Sequence, residues 1–366
     1  MAIPLLDIRA MMHEPIRDEL ADALVEVLDS ARYIGGPYVE RFESELADYV
    51  GARRAVGVSS GTDALLVALM ALGAGPGDEV ITTAFTFFAT VGSVVRLGAT
   101  PVFADIDPVT FNIDPAKIEE RITDRTVGVI AVDLFGQSAE MDAIAELAGK
   151  HGLWVVEDAA QSIGGLHHGR MCGTMGTVGT YSFFPAKNLG ALGDGGAVVT
   201  DDDALADKIA VLRNHGSKPK YHHKLVGGNF RLDALQAAAL SVKLPHLEGW
   251  EETRRRAAAA YAELLADADR FVTPVEADGN RHVFNQYELR VRDGKRDAAA
   301  AALDEAEIGH AIYYPVPLHR QECFADLGGE EGDLPATEQA CREVLAVPIM
   351  VEPSACETVV EVLKTI

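Results

Sequence analysis
Between residues 54 and 200, short apolar runs alternate with longer segments whose apolar residues recur at helical intervals, and few folds accept such a pattern. RAVGV at 54–58 precedes a turn of small residues and the apolar helix signal TDALLVALMALGAG. Residues 76–107, PGDEVITTAFTFFATVGSVVRLGATPVFADID, read as strand, helix, strand. TVGVIAVDLFGQ, AEMDAIAELAGKHG and LWVVEDAAQS repeat the unit. A strand followed by a helix cannot pair with the next strand as a hairpin, because the helix carries the chain back across the sheet. The chain is therefore predicted to be α/β, with a mostly parallel sheet flanked by helices.

Two helices are expected upstream, over EPIRDELADALVEVLDSARY with its proline in the first turn and over PYVERFESELADYV ahead of Gly51. An Ala- and Arg-rich helix over 246–270 leads to a smaller α/β unit with strands at FNQYELRV and HAIYY and helices at KRDAAAAALDEAE and PATEQACREVL. At 366 residues, 48% hydrophobic, the chain is long for one domain, and the division expected is 1–245 and 246–366.

A net charge of −24 argues against nucleic acid and anionic membrane as partners. The same acidic excess also suits a salt-rich cytoplasm. Cys172, Cys323, Cys341 and Cys356 show no C-x-x-C pair, and no run of about 18 apolar residues occurs, so a soluble protein of a reducing cytoplasm is expected. His222 and His223 are adjacent rather than at ligand spacing on a helix, and no metal site is expected there or elsewhere.

The chemistry centres on YSFFPAKNLGALGDGGAVV, residues 181–199. Lys187 stands between an apolar run and glycines 190, 193, 195 and 196, which permit turns and close backbone approach. An amine in such surroundings is poorly solvated, which favours its neutral, nucleophilic form. Taken alone, the bland reading of a surface lysine in a loop would be preferred. Upstream, however, LWVVED ends in Asp158, an acid at the carboxyl end of a strand, where α/β folds bind ligands. The turn Ser59-Ser60-Gly61-Thr62 opens a helix and could bind an anion, although any helix N-cap has this pattern. A lysine for a Schiff base and a carboxylate for a pyridinium nitrogen are the protein groups that pyridoxal phosphate requires.

Together, SSGTDAL, LWVVEDAAQS, YSFFPAKNLGALGDGGAVV, GGNFRLDALQAA and YYPVPLH resemble the DegT type of nucleotide-sugar aminotransferase, a branch of the fold-type I pyridoxal phosphate enzymes. The resemblance implies pyridoxal 5'-phosphate on Lys187, Asp158 at the ring nitrogen, Phe87 stacked on the ring and Gln161 beside its hydroxyl. It implies phosphate ligands at Gly61, Thr62 and Ser182, with Asn229 crossing from the other subunit of a homodimer. Arg231, Tyr313, Tyr314 and His319 would contact substrate. The implied reaction moves an amino group from glutamate to a nucleotide-linked keto sugar. A 3-keto sugar such as a UDP-2-acetamido-3-keto-hexuronate is favoured by Tyr314-Pro315-x-Pro317-x-His319, and a 4-keto-6-deoxy sugar is the alternative. A dehydratase of this fold would carry histidine in place of Lys187. A non-catalytic regulatory relative is the remaining rival class.

Overall fold
The computed structural model describes residues 2–366, and the alternation in the sequence becomes a sheet with helices on both faces. Helices α1 (Arg17–Ser30) and α2 (Pro37–Val50) open it. There follow β1 (Arg54–Val58), α3 (Gly61–Leu72), β2 (Glu79–Thr83), α4 (Phe88–Arg96), β3 (Thr100–Ala104), α5 (Pro115–Glu119), β4 (Thr126–Val132), α6 (Met141–His151) and β5 (Trp154–Asp158). A small hairpin, β6 (Leu166–His167) and β7 (Arg170–Met171), precedes β8 (Val178–Ser182) and β9 (Gly196–Thr200). Next come α7 (Asp203–Leu212), α8 (Ala234–Lys243), α9 (Leu247–Leu264), β10 (Phe271–Val272), β11 (Asn280–Arg281) and β12 (Tyr287–Val291). The chain finishes with α10 (Arg296–Glu305), α11 (Pro335–Glu343), β13 (Val344–Val347) and α12 (Pro353–Leu363).

The main sheet has the order β1-β9-β8-β5-β4-β2-β3. From β3 to β8 every pair is parallel, and β9 runs against both its neighbours. Side-chain alternation feeds two cores. Ile130 and Val156 pack with α3 and α7, whereas Val129, Ala131 and Val155 pack with Met141, Ile144 and Leu147 of α6. Burying one such side chain is worth about 1.5–3 kcal/mol, so covering both faces lets strands of five residues hold. Gly128 of β4 shows how closely this core is fitted, since a Cβ there would lie 2.1 Å from the Trp154 ring.

Helix α3 is the hinge between fold and chemistry. Ala64 through Leu69 are all buried, which fixes its axis against the sheet. Ser60 Oγ accepts from Asp63 N at 3.0 Å, a cap worth about 1 kcal/mol, and Gly73 ends the helix with φ +89°. The helix start therefore has a defined position at the sheet's edge.

A second, antiparallel sheet, β10-β12-β13, carries Leu289, Leu345 and Val347 against α9, α10 and α12. The start of the chain joins this layer through a parallel bridge from Ile3 to Ile308. One expected strand does not form: HAIYY supplies a single bridge, Ala311 to Ala346. Beyond it Pro315 and Pro317 lack the N–H that a ladder needs. No helix among the described residues is long and apolar enough to cross a membrane.

Candidate active site
A cavity of ≈ 450 Å³ opens at the carboxyl ends of β5 and β8 and at the amino ends of α3 and α4. It brings together Gly61, Thr62, Phe87, Asp158, Gln161, Ser182, Lys187, Tyr313 and Tyr314, which lie up to about 250 residues apart in the chain.

Lys187 sits on a loop folded back on β8. Phe183 N donates to Gly195 O and Ala191 N to Phe183 O, both at 2.8 Å. Two glycines make this path possible. A Cβ on Gly190 would lie 2.4 Å from Pro185 O, and one on Gly196 2.5 Å from the Ser60 carbonyl. The Lys187 side chain keeps some exposure through the cavity, yet its walls strip enough water from the ammonium to lower the pKa to about 8. The charge of Asp158 pulls the other way without overcoming burial.

Asp158 is buried, and loss of solvent raises its pKa. The hydroxyl of Thr90 donates to Oδ2 at 2.8 Å, the amide of Ala160 to Oδ1 at 3.3 Å, and Lys187 adds a favourable charge. These three contacts lower the pKa but do not offset burial fully. A cationic group set against this carboxyl would complete the compensation. Thr90, one turn into α4, is the contact that sequence reasoning missed. Its signal was the i, i+3 spacing from Phe87, which places both on one side of that first turn.

At the opposite end, the first amides of α3 have no intrahelical acceptor, and Gly61 and Thr62 line the cavity beside Ser182. A Cβ on Gly61 would sit 2.6 Å from Ser182 Cβ, so only glycine lets backbone and hydroxyl converge on one anion. Gln161 is held by Phe135 N, which donates to Oε1 at 2.7 Å, while Nε2 donates to Tyr314 Oη at 3.4 Å. The Phe87 ring is 56% exposed and 6.4 Å from Tyr314, leaving one face open to the cavity mouth. An amine, a buried carboxyl, an amide cradle and an aromatic face are the groups pyridoxal phosphate needs. The residues present fit it.

His319, Asn229 and Arg231 lie outside this protomer's cavity lining. His319 is buried, with Nε2 3.3 Å from Glu338 Oε1 and its ring beside Phe103. The short helix Leu318–Arg320 turns it inward, because Leu318 N is tied to Ala84 O. Asn229 is exposed and Arg231 half-buried, and neither lines this protomer's cavity. They stand just behind it, where Phe230 O accepts from Ser59 N at 3.0 Å and Arg231 Nη1 donates to Asn214 Oδ1 at 2.8 Å.

Residues 14–366 match the DegT/DnrJ/EryC1/StrS aminotransferase family. The chain belongs to that family. It is 53% identical to a pleiotropic regulatory protein of Geobacillus stearothermophilus, over 96% of this chain and 94% of that one. With the UDP-N-acetyl-3-dehydro-alpha-D-glucosamine 3-aminotransferase of Acidithiobacillus ferrooxidans it shares 46%, again over 96% and 94%. The crystal structure of S. venezuelae DesV in complex with a ketimine intermediate superposes with TM-score 0.96 and 42% identity, covering 100% of this chain and 98% of that one. The protein is a pyridoxal phosphate-dependent sugar aminotransferase of fold type I.

Proposed function
We propose that this aminotransferase moves the amino group of glutamate to carbon 3 of a UDP-linked 2-acetamido-3-keto hexuronate, in the making of amino sugars for surface polysaccharide. What carries the reading is the relatives' names: amination at carbon 3 in the Acidithiobacillus enzyme, and a UDP-2-acetamido-2-deoxy-3-oxo-D-glucuronate aminotransferase in Pseudomonas aeruginosa, 44% identical over 91% of this chain. A regulatory relative is the rival, favoured by the Geobacillus protein's name. Against it stands Lys187, poised with Asp158 in a formed cavity.

Bound pyridoxal phosphate supplies an electron sink for the amino-bearing carbon. Lys187 would hold the cofactor covalently and, once displaced, take a proton at Nζ from the donor's α-carbon and return it to the other end. With a pKa of about 8, it would accept and release that proton near neutral pH. Asp158 would keep the ring nitrogen protonated, Thr90 would hold that carboxylate in place, and Gly61, Thr62 and Ser182 would bind phosphate. Gln161 would orient the ring hydroxyl, and Phe87 would cover the ring. Tyr313 and Tyr314 would border the sugar.

The active unit in this reading is a homodimer. Phe184, 55% exposed at the cavity rim, Ile34 at 62% and Val226 at 91% leave an apolar margin for a second subunit to cover. Asn229 and Arg231 would serve the neighbour's cavity. Arg231 Nη1 is held by Asn214 Oδ1 and its buried Nε has no partner among the described residues; the guanidinium would pair there with a carboxylate, either of glutamate or of the uronate.

The test supplies glutamate with UDP-linked 3-keto sugars that carry or lack the carboxylate, and follows the amino product by mass. The uronate should be preferred. Arg231→Lys should reduce efficiency roughly tenfold to a hundredfold and erase that preference, as expected for a charge-assisted pair worth about 1.5–3 kcal/mol. Equal rates on both sugars, or an amine at carbon 4, would move the assignment to a 4-keto-6-deoxy substrate. No amination of any keto sugar would favour the regulator.

A further inference from the structure
The β6–β7 turn holds a side-chain cluster that the transamination reading leaves unused. Asp142, at the start of α6, meets His167 and His168, and the three can each offer one ligand atom with all of them within 4.8 Å of one another. His167 is 1% exposed.

Its tautomer follows from its neighbours. Asn280 Nδ2 donates to Ser138 O at 3.1 Å, which fixes the amide and turns Oδ1 toward His167 Nδ1 at 2.7 Å. Facing an acceptor, Nδ1 must carry the proton, so a neutral ring presents a bare lone pair at Nε2. That Nε2 is enclosed, has no hydrogen-bond partner, and stands 3.5 Å from Asp142 Oδ2. Two lone pairs aimed at each other repel unless a cation lies between them, and because Asp142 and His168 are exposed an ion can reach the pair from solvent.

We propose that the cation is a divalent metal ion of the zinc class, bound by His167 Nε2, Asp142 Oδ2 and His168. Zinc–nitrogen and zinc–oxygen bonds of about 2.0–2.1 Å in a tetrahedron set the ligand atoms roughly 3.4 Å apart, which the His167–Asp142 pair already matches. His168 supplies the third ligand from the turn, its ring centroid 4.5 Å from that of His167. Gly279 makes room beneath it, since a Cβ there would lie 2.3 Å from Cε1 of His168. Outer partners are in place as well: Asn280 on His167, and Arg170 on the other carboxylate oxygen of Asp142. Three protein ligands leave a fourth position for water. The ion would clamp α6, the β6–β7 turn and β11, segments brought together only by the fold.

A proton on Nε2 is the competing cation, and calorimetry separates the two. Zn²⁺ is titrated into EDTA-treated, pyridoxal phosphate-loaded protein, wild type beside His168→Gly and Asp142→Asn. Glycine suits the left-handed φ of +48° at 168, and asparagine can still accept a hydrogen bond from Arg170. Loss of an outer partner costs about 10–100-fold in metal affinity, so loss of a ligand should cost about a hundredfold or more. Zinc should bind one to one and raise Tm in the wild type, with both effects lost in the variants while their metal-free Tm and yellow colour persist. Equal affinity in wild type and His168→Gly, or no binding in the wild type, would overturn the proposal and leave the pair bridged by a proton.

Discussion

Lys187 and Lys243 are both desolvated amines whose pKa is lowered to about 8, yet they serve different ends. Lys243, on α8, is enclosed and satisfied: Nζ donates to Gly190 O and lies 2.9 Å from His13 Nε2. It ties the Lys187 loop to α8 and to the start of the chain. Lys187 opens instead on the cavity, and among the described residues its Nζ makes no protein hydrogen bond. Desolvation alone therefore does not mark a reactive amine. Unspent hydrogen-bonding capacity facing a ligand-sized space does.

The comparison breaks most sharply on Lys187→Ala. That variant should fold and retain cofactor by its phosphate and ring contacts, while transamination falls by roughly 10⁴-fold, the upper range for loss of an acid–base group. Borohydride should no longer fix the cofactor to the chain. Mixed with Asn229→Ala subunits, it should recover part of the activity if sites are shared; substantial turnover by Lys187→Ala alone would remove the lysine from its proposed role.

Lys243→Met should keep the colour and a turnover of the same order, because the amine it removes contacts protein only. Its signature is pH-dependent stability. The folded pKa of Lys243 lies below the ordinary 10.5, so the unfolded chain binds that proton more tightly and wild-type stability rises as pH climbs from about 8 to 10.5. Methionine cannot titrate, and the difference between the two proteins should grow by about 3 kcal/mol at most across that window. Parallel curves in denaturant melts at pH 8 and 10.5 would contradict the assignment.

The smallest effect expected is on cofactor uptake. Only the neutral amine attacks an aldehyde, so reconstitution of the apoenzyme should accelerate about tenfold from pH 7 and level off just above pH 8. A rate still climbing toward pH 10.5 would mean that Lys187 is solvated like an ordinary surface lysine. Lys243→Met should follow the wild-type curve.

Much of this was legible in the chain. Period-2 and period-3.6 hydrophobicity gave the α/β layers, because strands covered on both faces and helices covered on one must show those patterns whatever their partners. Lys187 and Asp158 could be picked out as an amine among glycines and an acid closing a strand, and Gly61 and Ser182 through the family resemblance; the structure adds the steric reason for glycine, with a would-be Cβ 2.6, 2.4 and 2.5 Å from a neighbouring atom at 61, 190 and 196. The placement of His319 away from the cavity lining was not legible, since a motif preserves residue order but not the direction in which a short helix turns a side chain.

What only the tertiary structure decided are the facts that depend on long-range approach. Thr90 meets Asp158, and Gly190 meets Lys243, through contacts spanning 68 and 53 residues. His167 acquires its tautomer from Asn280, 113 residues downstream. Sequence by itself determined which residues must be buried and which backbone must be glycine, because those demands are local and steric. Which amine stays free, and which lone pair is left facing another, depends on the last few ångströms of packing between distant segments, and no periodicity in the chain encodes that distance.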